Sequence, residues 1–348
     1  MDDSLLELSE ISLASSSATA QLDDFLSRAG LQRDELDYYA GLFAGAKLIA
    51  GGGYSGRTIK CVAVDASWRS SGLLNRVMTH LYTRLVEKGA DNVFVFTQPE
   101  NMAIFKSLGF HPVGSAPAAI LLESNPHGLA NYLQALSAKR KPGLAAAIVV
   151  NCNPFTLGHQ YLIEAAADRC DHLHLFVVSE DRSVFPFAVR YDLIKKGTAH
   201  LPAVTIHAGG DYIISASTFP TYFLKQYSEL VETHAALDID IFARQIAPAL
   251  GIRKRFVGEE PFDPVTAAYN AAMQEILPRH SIELVVIPRK TVQEKVVSAS
   301  LVRSLIAEGR LEETRELLPA STYDYLCSEA AQPILDKIRA ALGKGSSK

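Results

Sequence analysis

Apolar residues change their spacing along this chain, and the changes mark its elements. From Thr58 to Val64 they alternate with polar neighbours, which predicts a half-buried strand; from Leu74 to Lys88 they recur every three to four positions, which predicts an amphipathic helix. Around these two, the pattern predicts a strand or fraying extension within Leu5–Leu13, helices over Asp23–Ala29 and Arg33–Tyr39, and a strand over Ala46–Ala50 that Gly51–Gly53 punctuates. A strand over Asn92–Thr97 and a helix-to-turn segment over Asn101–Phe110 complete the first half. A short helix, Leu129–Ala138, lies in a Pro- and Gly-marked junction that ends at Lys139-Arg140-Lys141 and Pro142-Gly143.

Beyond the junction, strand-like and helix-like runs alternate. Strands are expected at Leu144–Val150, His172–Val178, Val204–His207, Arg255–Val257 and Ile282–Ile287, and helices at His159–Asp168, Ala188–His200, Thr221–Thr233, Pro264–Glu275 and Ser300–Glu308. Parallel strands with helical crossovers predict a doubly wound open sheet, with ligands in the crevice beyond the strand C-termini. The expected domains are 1–125, a linker over 126–143, and 144–348. The 348 residues suffice for two cores.

The stretch Asn153-Pro154-Phe155-Thr156-Leu157-Gly158-His159 follows an apolar run and opens a helix. Such a turn points backbone N–H groups and the positive helix end at a phosphate. It is similar to the His-x-Gly-His signature of the nucleotidyltransferase superfamily, with Thr156 in place of the first His. Val297-Ser298-Ala299-Ser300-Leu301-Val302-Arg303 is similar to that superfamily's Ile-Ser-x-Ser-x-x-Arg. Either segment alone reads as an ordinary capped helix; the two in this order favour phosphate binding. His159 is then the expected donor to the α-phosphate. Asn151 and Asn153 serve a ligand or their own backbone equally well. Gly258-Glu259-Glu260-Pro261 puts two carboxylates at a strand end, facing ribose, metal or solvent. Asp181-Arg182 and Arg190 occupy another such loop, where an Arg could clamp phosphate.

In the first half, Val64-Asp65 followed by Arg69-Ser70-Ser71-Gly72, with Phe105 and Gly109-Phe110 later, resembles the GNAT acyltransferase fold. That fold cradles the pyrophosphate of coenzyme A in this loop. Leu74 stands where the family has Gly or Ala, which narrows the approach.

Taken together, Asn151–Leu162, Ser183–Phe187, Gly209–Lys225, Phe256–Pro261, Val297–Arg303, and Phe96-Thr97 with Pro99–Asn101 resemble the citrate lyase ligase family over nearly the whole chain. The resemblance implies an α/β chain with an N-terminal GNAT-like α+β domain and a Rossmann-like nucleotidyltransferase domain. It implies that acetate is activated by ATP, with Mg²⁺ carried on the nucleotide, as acetyl-AMP. The acetyl group would then pass to the thiol of a phosphoribosyl-dephospho-CoA arm on the citrate lyase acyl carrier subunit. Carried over residue by residue, His159 and Thr156 are catalytic, and Asn153, Pro154, Phe155, Gly158, Gly258, Glu259, Ser298, Ser300 and Arg303 bind ATP. Arg69, Ser70, Ser71 and Gly72 would bind the arm. The rival readings are an acetate ligase for the malonate decarboxylase carrier, a nucleotidyltransferase with another acceptor, and a free acetyltransferase.

Composition narrows the rest. A net charge of −4 leaves no basic surplus for nucleic acid. No run approaches the roughly 20 apolar residues of a membrane span. Cys61, Cys152, Cys170 and Cys327 form no Cys-x-x-Cys pair, as expected of a reduced cytoplasmic protein. Cys152, beside the turn, reads as a small apolar residue rather than a nucleophile. The histidines lack helical His-x-x-x-His spacing, so no protein-held metal is expected.

Overall fold

The computed structural model describes residues 6–69, 71–179, 183–213, 227–260, 264–292 and 295–345. Ser70, Asp181-Arg182, Pro261 and the segment ending Thr218–Lys225 lie outside them. The chain divides into two compact units: Met1–Leu133 with Phe219–Ile241, and Gln134–Thr218 with Phe242–Lys348.

The first unit holds a seven-stranded mixed sheet. Its strands are β1 Leu8–Glu10, β2 Tyr38–Ala44, β3 Lys47–Ser55, β4 Thr58–Val64, β5 Phe94–Thr97, β6 His111–Ser115 and β7 Ile120–Glu123, ordered β1-β2-β3-β4-β5-β7-β6. The expected helix over Arg33–Tyr39 is instead a loop that enters β2. Tyr38 and Tyr39 are buried against the sheet, and that burial overrides their local helical spacing. Gly51–Gly53 lie inside β3 rather than ending it. A Cβ on Gly53 would sit 2.4 Å from the Tyr38 carbonyl, and one on Gly51 2.7 Å from the Tyr39 ring, so small residues let the two strands approach. The first helix runs over Ser16–Arg28, a longer span than expected, because Ser15 caps it by accepting from the Ala18 N–H.

Strands β4 and β5 are parallel and pair only at Thr58–Phe94 and Ile59–Val95. A cleft of about 670 Å³ involves both strands, lined by Val62, Val64, Val95 and Thr97 together with Trp68, Arg69 and Gly72. Gly72, at φ +77°, opens the amphipathic helix Leu73–Glu87. Among the described lining residues Arg69 is the one ionisable group. The helix Tyr227–Ile241, far along the sequence, belongs to this unit: the Ser115 N–H donates to Asp240 Oδ2 at 3.1 Å, and a Cβ on Gly114 would clash with Ile241.

The second unit is a five-stranded parallel sheet. Its strands are β8 Ala145–Val150, β9 His172–Val177, β10 Val204–Ala208, β11 Ile252–Gly258 and β12 Glu283–Ile287, in the order β10-β9-β8-β11-β12. The chain winds outward from β8 to β10, then returns to lay β11 on the other side of β8. This reversal is the topological switch point, where strand ends open a crevice. Ala145 to Ile148 are buried, as a central parallel strand requires. Among the described residues, no helix is long and apolar enough to cross a membrane.

Candidate functional site

Three strand-to-helix connections converge at the C-terminal edge of the parallel sheet. The turn after β8, the Gly258–Glu260 loop after β11 and the Ile287–Lys290 segment after β12 line one cleft of about 780 Å³, together with Val297–Ser300 and Arg303. The two segments that the sequence singled out therefore meet. A Cβ on Gly158 would lie 2.9 Å from the Val297 carbonyl oxygen, so only glycine lets the helix Leu157–Ala167 approach the segment leading into Ser298 this closely.

The turn builds His159 into place. Thr156 is the N-cap of the helix Leu157–Ala167, and its Oγ1 accepts the His159 N–H at 3.4 Å. In return the Thr156 N–H donates to His159 Nδ1 at 3.1 Å, and Oγ1 lies 2.9 Å from the same nitrogen. This is a capping box with histidine in the place usually held by Glu or Gln. Because Nδ1 accepts an amide N–H, the ring proton sits on Nε2, which has no partner among the described residues. Burial, with the Arg289 guanidinium beside it, pushes the imidazole pKa down to about 4. His159 is therefore a neutral donor at the cleft wall. Thr156, 1% exposed, spends its hydroxyl on His159 rather than on the open cleft.

Several expected ligands of the nucleotide have other work. Phe155 is fully buried against Gly197, where an added Cβ would lie 2.2 Å from its ring, and Pro154 is buried beside it. Neither lines the cleft, which corrects the expectation for both. Asn153 lines the cleft, but its Oδ1 accepts the Phe185 N–H at 3.0 Å and its carbonyl takes Arg303 Nη1. Asn151 bonds Ser183. Arg190 is wholly buried and donates to the carbonyls of Asn151 (2.9 Å), Val178 (2.8 Å) and Phe185 (3.0 Å), so it ties the strand ends together rather than clamping phosphate. Cys152 is buried at φ +55°, and burial pushes its thiol pKa up, as suits an apolar residue rather than a nucleophile.

The cation side of the cleft is richer than the motifs foretold. Ser298 caps the helix Ala299–Ala307 by accepting the Leu301 N–H at 3.1 Å, while Ser300 is exposed and accepts from Arg303 Nη2 at 3.2 Å. Arg289 pairs with the Glu260 carboxylate and donates from Nε to the Glu259 carbonyl at 2.7 Å, bridging two connections. Lys290 stands beside it, with its Nζ 5.9 Å from the centre of the Tyr161 ring. Sequence reading passed over Arg289 and Lys290. Their signal was their place, directly after the strand ending at Ile287. Glu259 is exposed at the rim, and Gly258, whose carbonyl accepts Asn270 Nδ2 at 3.2 Å, lines the cleft. Among the described residues no three His, Cys, Asp or Glu side chains group to hold a metal ion.

Fold and site define an α/β protein whose parallel-sheet unit carries a cation-rimmed cleft at its switch point, the architecture that places small ligands at strand C-termini. The family profile described as Citrate lyase ligase C-terminal domain matches residues 145–326, over half of the chain. The [Citrate [pro-3S]-lyase] ligase of Escherichia coli strain K12 is 42% identical over 315 residues, covering 88% of this chain and 90% of that protein. This chain belongs to the citrate lyase ligase family. Among solved structures, Escherichia coli ElaA covers 35% of this chain and all of its own, with a TM-score of 0.31 and 16% identity. A nicotinate-nucleotide adenylyltransferase structure from Vibrio parahaemolyticus covers 55% of this chain and 94% of its own, with a TM-score of 0.33 and 15% identity.

Proposed function

We propose that this protein activates acetate with Mg-ATP as acetyl-AMP and passes the acetyl group to the thiol of a phosphoribosyl-dephospho-CoA arm on the acyl carrier subunit of citrate lyase. In the first step an acetate oxygen bonds to the α-phosphorus while the bond from that phosphorus to the bridging oxygen breaks, and pyrophosphate leaves. In the second, the thiolate sulfur attacks the acetyl carbon, the bond to the AMP oxygen breaks, and the thiol proton passes to solvent.

The convergence of Gly158 on the Val297 carbonyl carries this reading, because it brings both phosphate-type segments to one cleft. His159 Nε2–H donates to the α-phosphate as charge builds there, where a donor held in place beforehand counts most. Thr156 acts through His159 by fixing its tautomer. Ser300 and Arg303 hold the outer phosphates, and Ser298 fixes the helix that presents them. Gly258 and Glu259 border the nucleoside end. Magnesium arrives as part of the substrate. The cytoplasm, where thiols stay reduced, is the setting.

The first unit receives the carrier's arm. Its cleft is more apolar than polar, and among the described lining residues no carboxylate, His, Cys or Tyr is present to move a proton, which supports binding without chemistry. Arg69, Ser71 and Gly72 at its mouth would meet the arm's pyrophosphate.

The test is exchange of labelled pyrophosphate into ATP across a panel of small carboxylates. Acetate-dependent exchange is expected; no exchange with any acid overturns the reading. For the arm, Arg69→Ala is expected to leave exchange unchanged and slow acetylation of the carrier.

A further inference from the structure

We propose that the Lys290 ammonium binds the β,γ-pyrophosphate end of the nucleotide and holds it as it leaves. The inference rests on the nucleotide reading above and adds a group that no motif identified. Lys290 lies just beyond β12, after Pro288 and Arg289, and its carbonyl accepts the Val297 N–H at 3.1 Å. That bond closes the base of a hairpin whose short strands, Thr291–Val292 and Lys295–Val296, pair antiparallel. The backbone of Lys290 is thereby fixed to the residue that precedes Ser298, and Lys290 lines the same cleft as Ser300 and Arg303.

The cleft's three cations are not equivalent. The Glu260 carboxylate already compensates Arg289, and the Asn153 carbonyl and Ser300 hydroxyl hold Arg303. Lys290 is half-buried and forms no ion pair with a carboxylate of the described residues; its described side-chain contact is the Tyr161 ring. A partly desolvated ammonium is unfavourable, and an anion in the cleft relieves that cost. Pyrophosphate, compact and multiply charged, suits a point charge of this kind.

Titration calorimetry on the full-length protein tests the proposal, with Mg-pyrophosphate and AMP as separate probes. Lys290→Met is expected to weaken pyrophosphate binding roughly tenfold to a hundredfold and leave AMP binding unchanged. Lys290→Arg is expected to recover most of the loss. Unchanged pyrophosphate affinity in Lys290→Met overturns the proposal, as does equal loss of both ligands that Arg fails to restore. Failure of the wild-type protein to bind either probe overturns the nucleotide reading itself, and the role of Lys290 with it.

Discussion

The Thr156 N–H reaches His159 Nδ1 at 3.1 Å, so a backbone amide decides which imidazole nitrogen keeps the proton. Where the superfamily pattern has its first histidine, this chain has a threonine whose main chain orients the one that remains.

His159→Ala removes the Nε2–H donor. Acetate-dependent pyrophosphate exchange is expected to fall roughly a hundredfold to a thousandfold, equivalent to about 2.7–4 kcal/mol of transition-state stabilisation. The far-ultraviolet circular dichroism of the variant should match that of the parent. Full activity in a folded variant contradicts the assignment.

The same imidazole, with its pKa near 4, stays neutral through the range in which a free histidine titrates. The kcat/KM for ATP, which reports the free enzyme, is expected to show no histidine limb between about pH 6 and 8. A limb near pH 6.5 that disappears in His159→Gln would show that the ring is not held as described.

Gly158→Ala places a methyl 2.9 Å from the Val297 carbonyl, on backbone that cannot yield as a flexible side chain would. The two segments must then part, and the Kd for ATP is expected to rise at least roughly tenfold while most of the fold survives. Calorimetric titration of ATP into the variant gives the answer.

Phe155→Ala probes the floor under the turn. Emptying the space beneath Gly197 is expected to cost about 3–5 kcal/mol of stability, read as a lower urea midpoint, with activity lost as the turn loosens.

Buried histidines also set an acid limit. His174 Nδ1 and His207 Nε2 lie 2.9 Å apart in the core of the second unit, and burial pushes their pKa values down to about 4 and about 3. The unfolded chain takes up these protons near pH 6.5, before the folded protein does. Their contribution to stability is therefore complete above about pH 6.5 and falls as the pH drops toward 4, by up to roughly 1.4 kcal/mol per pH unit for each ring. Urea midpoints measured between pH 7.5 and 4.5 should decline on the acid side; a flat profile would show that these rings are charged in the folded state.

Sequence patterning disclosed the parallel sheet, because apolar runs such as Ala145–Val150 and Glu283–Ile287 alternate with helical periods; β11 was legible only in part, since Arg253, Lys254 and Arg255 interrupt its apolar residues. It also disclosed the meeting of Gly158–His159 with Ser298–Arg303, because helix-opening turns depend on local backbone shape that Gly and Ser record. What it missed depends on partners distant in the chain. Gly51–Gly53 resemble a break until the aromatic ring of Tyr39 is set against them. Tyr38 and Tyr39 read as the end of a helix until β3 claims them. Phe155 resembles a site residue because it sits in the turn, and Arg190 because it follows another strand, and only burial shows that both support the turn from beneath. Arg289 and Lys290 carry no motif at all.

The helix Tyr227–Ile241 binds the first unit to a late stretch of the chain. During synthesis the ribosome must therefore deliver Asp240 and Ile241 before Gly114 and Ser115 have their neighbours. The first unit, although it starts at the N-terminus, is completed only after β8, β9 and β10 have already emerged.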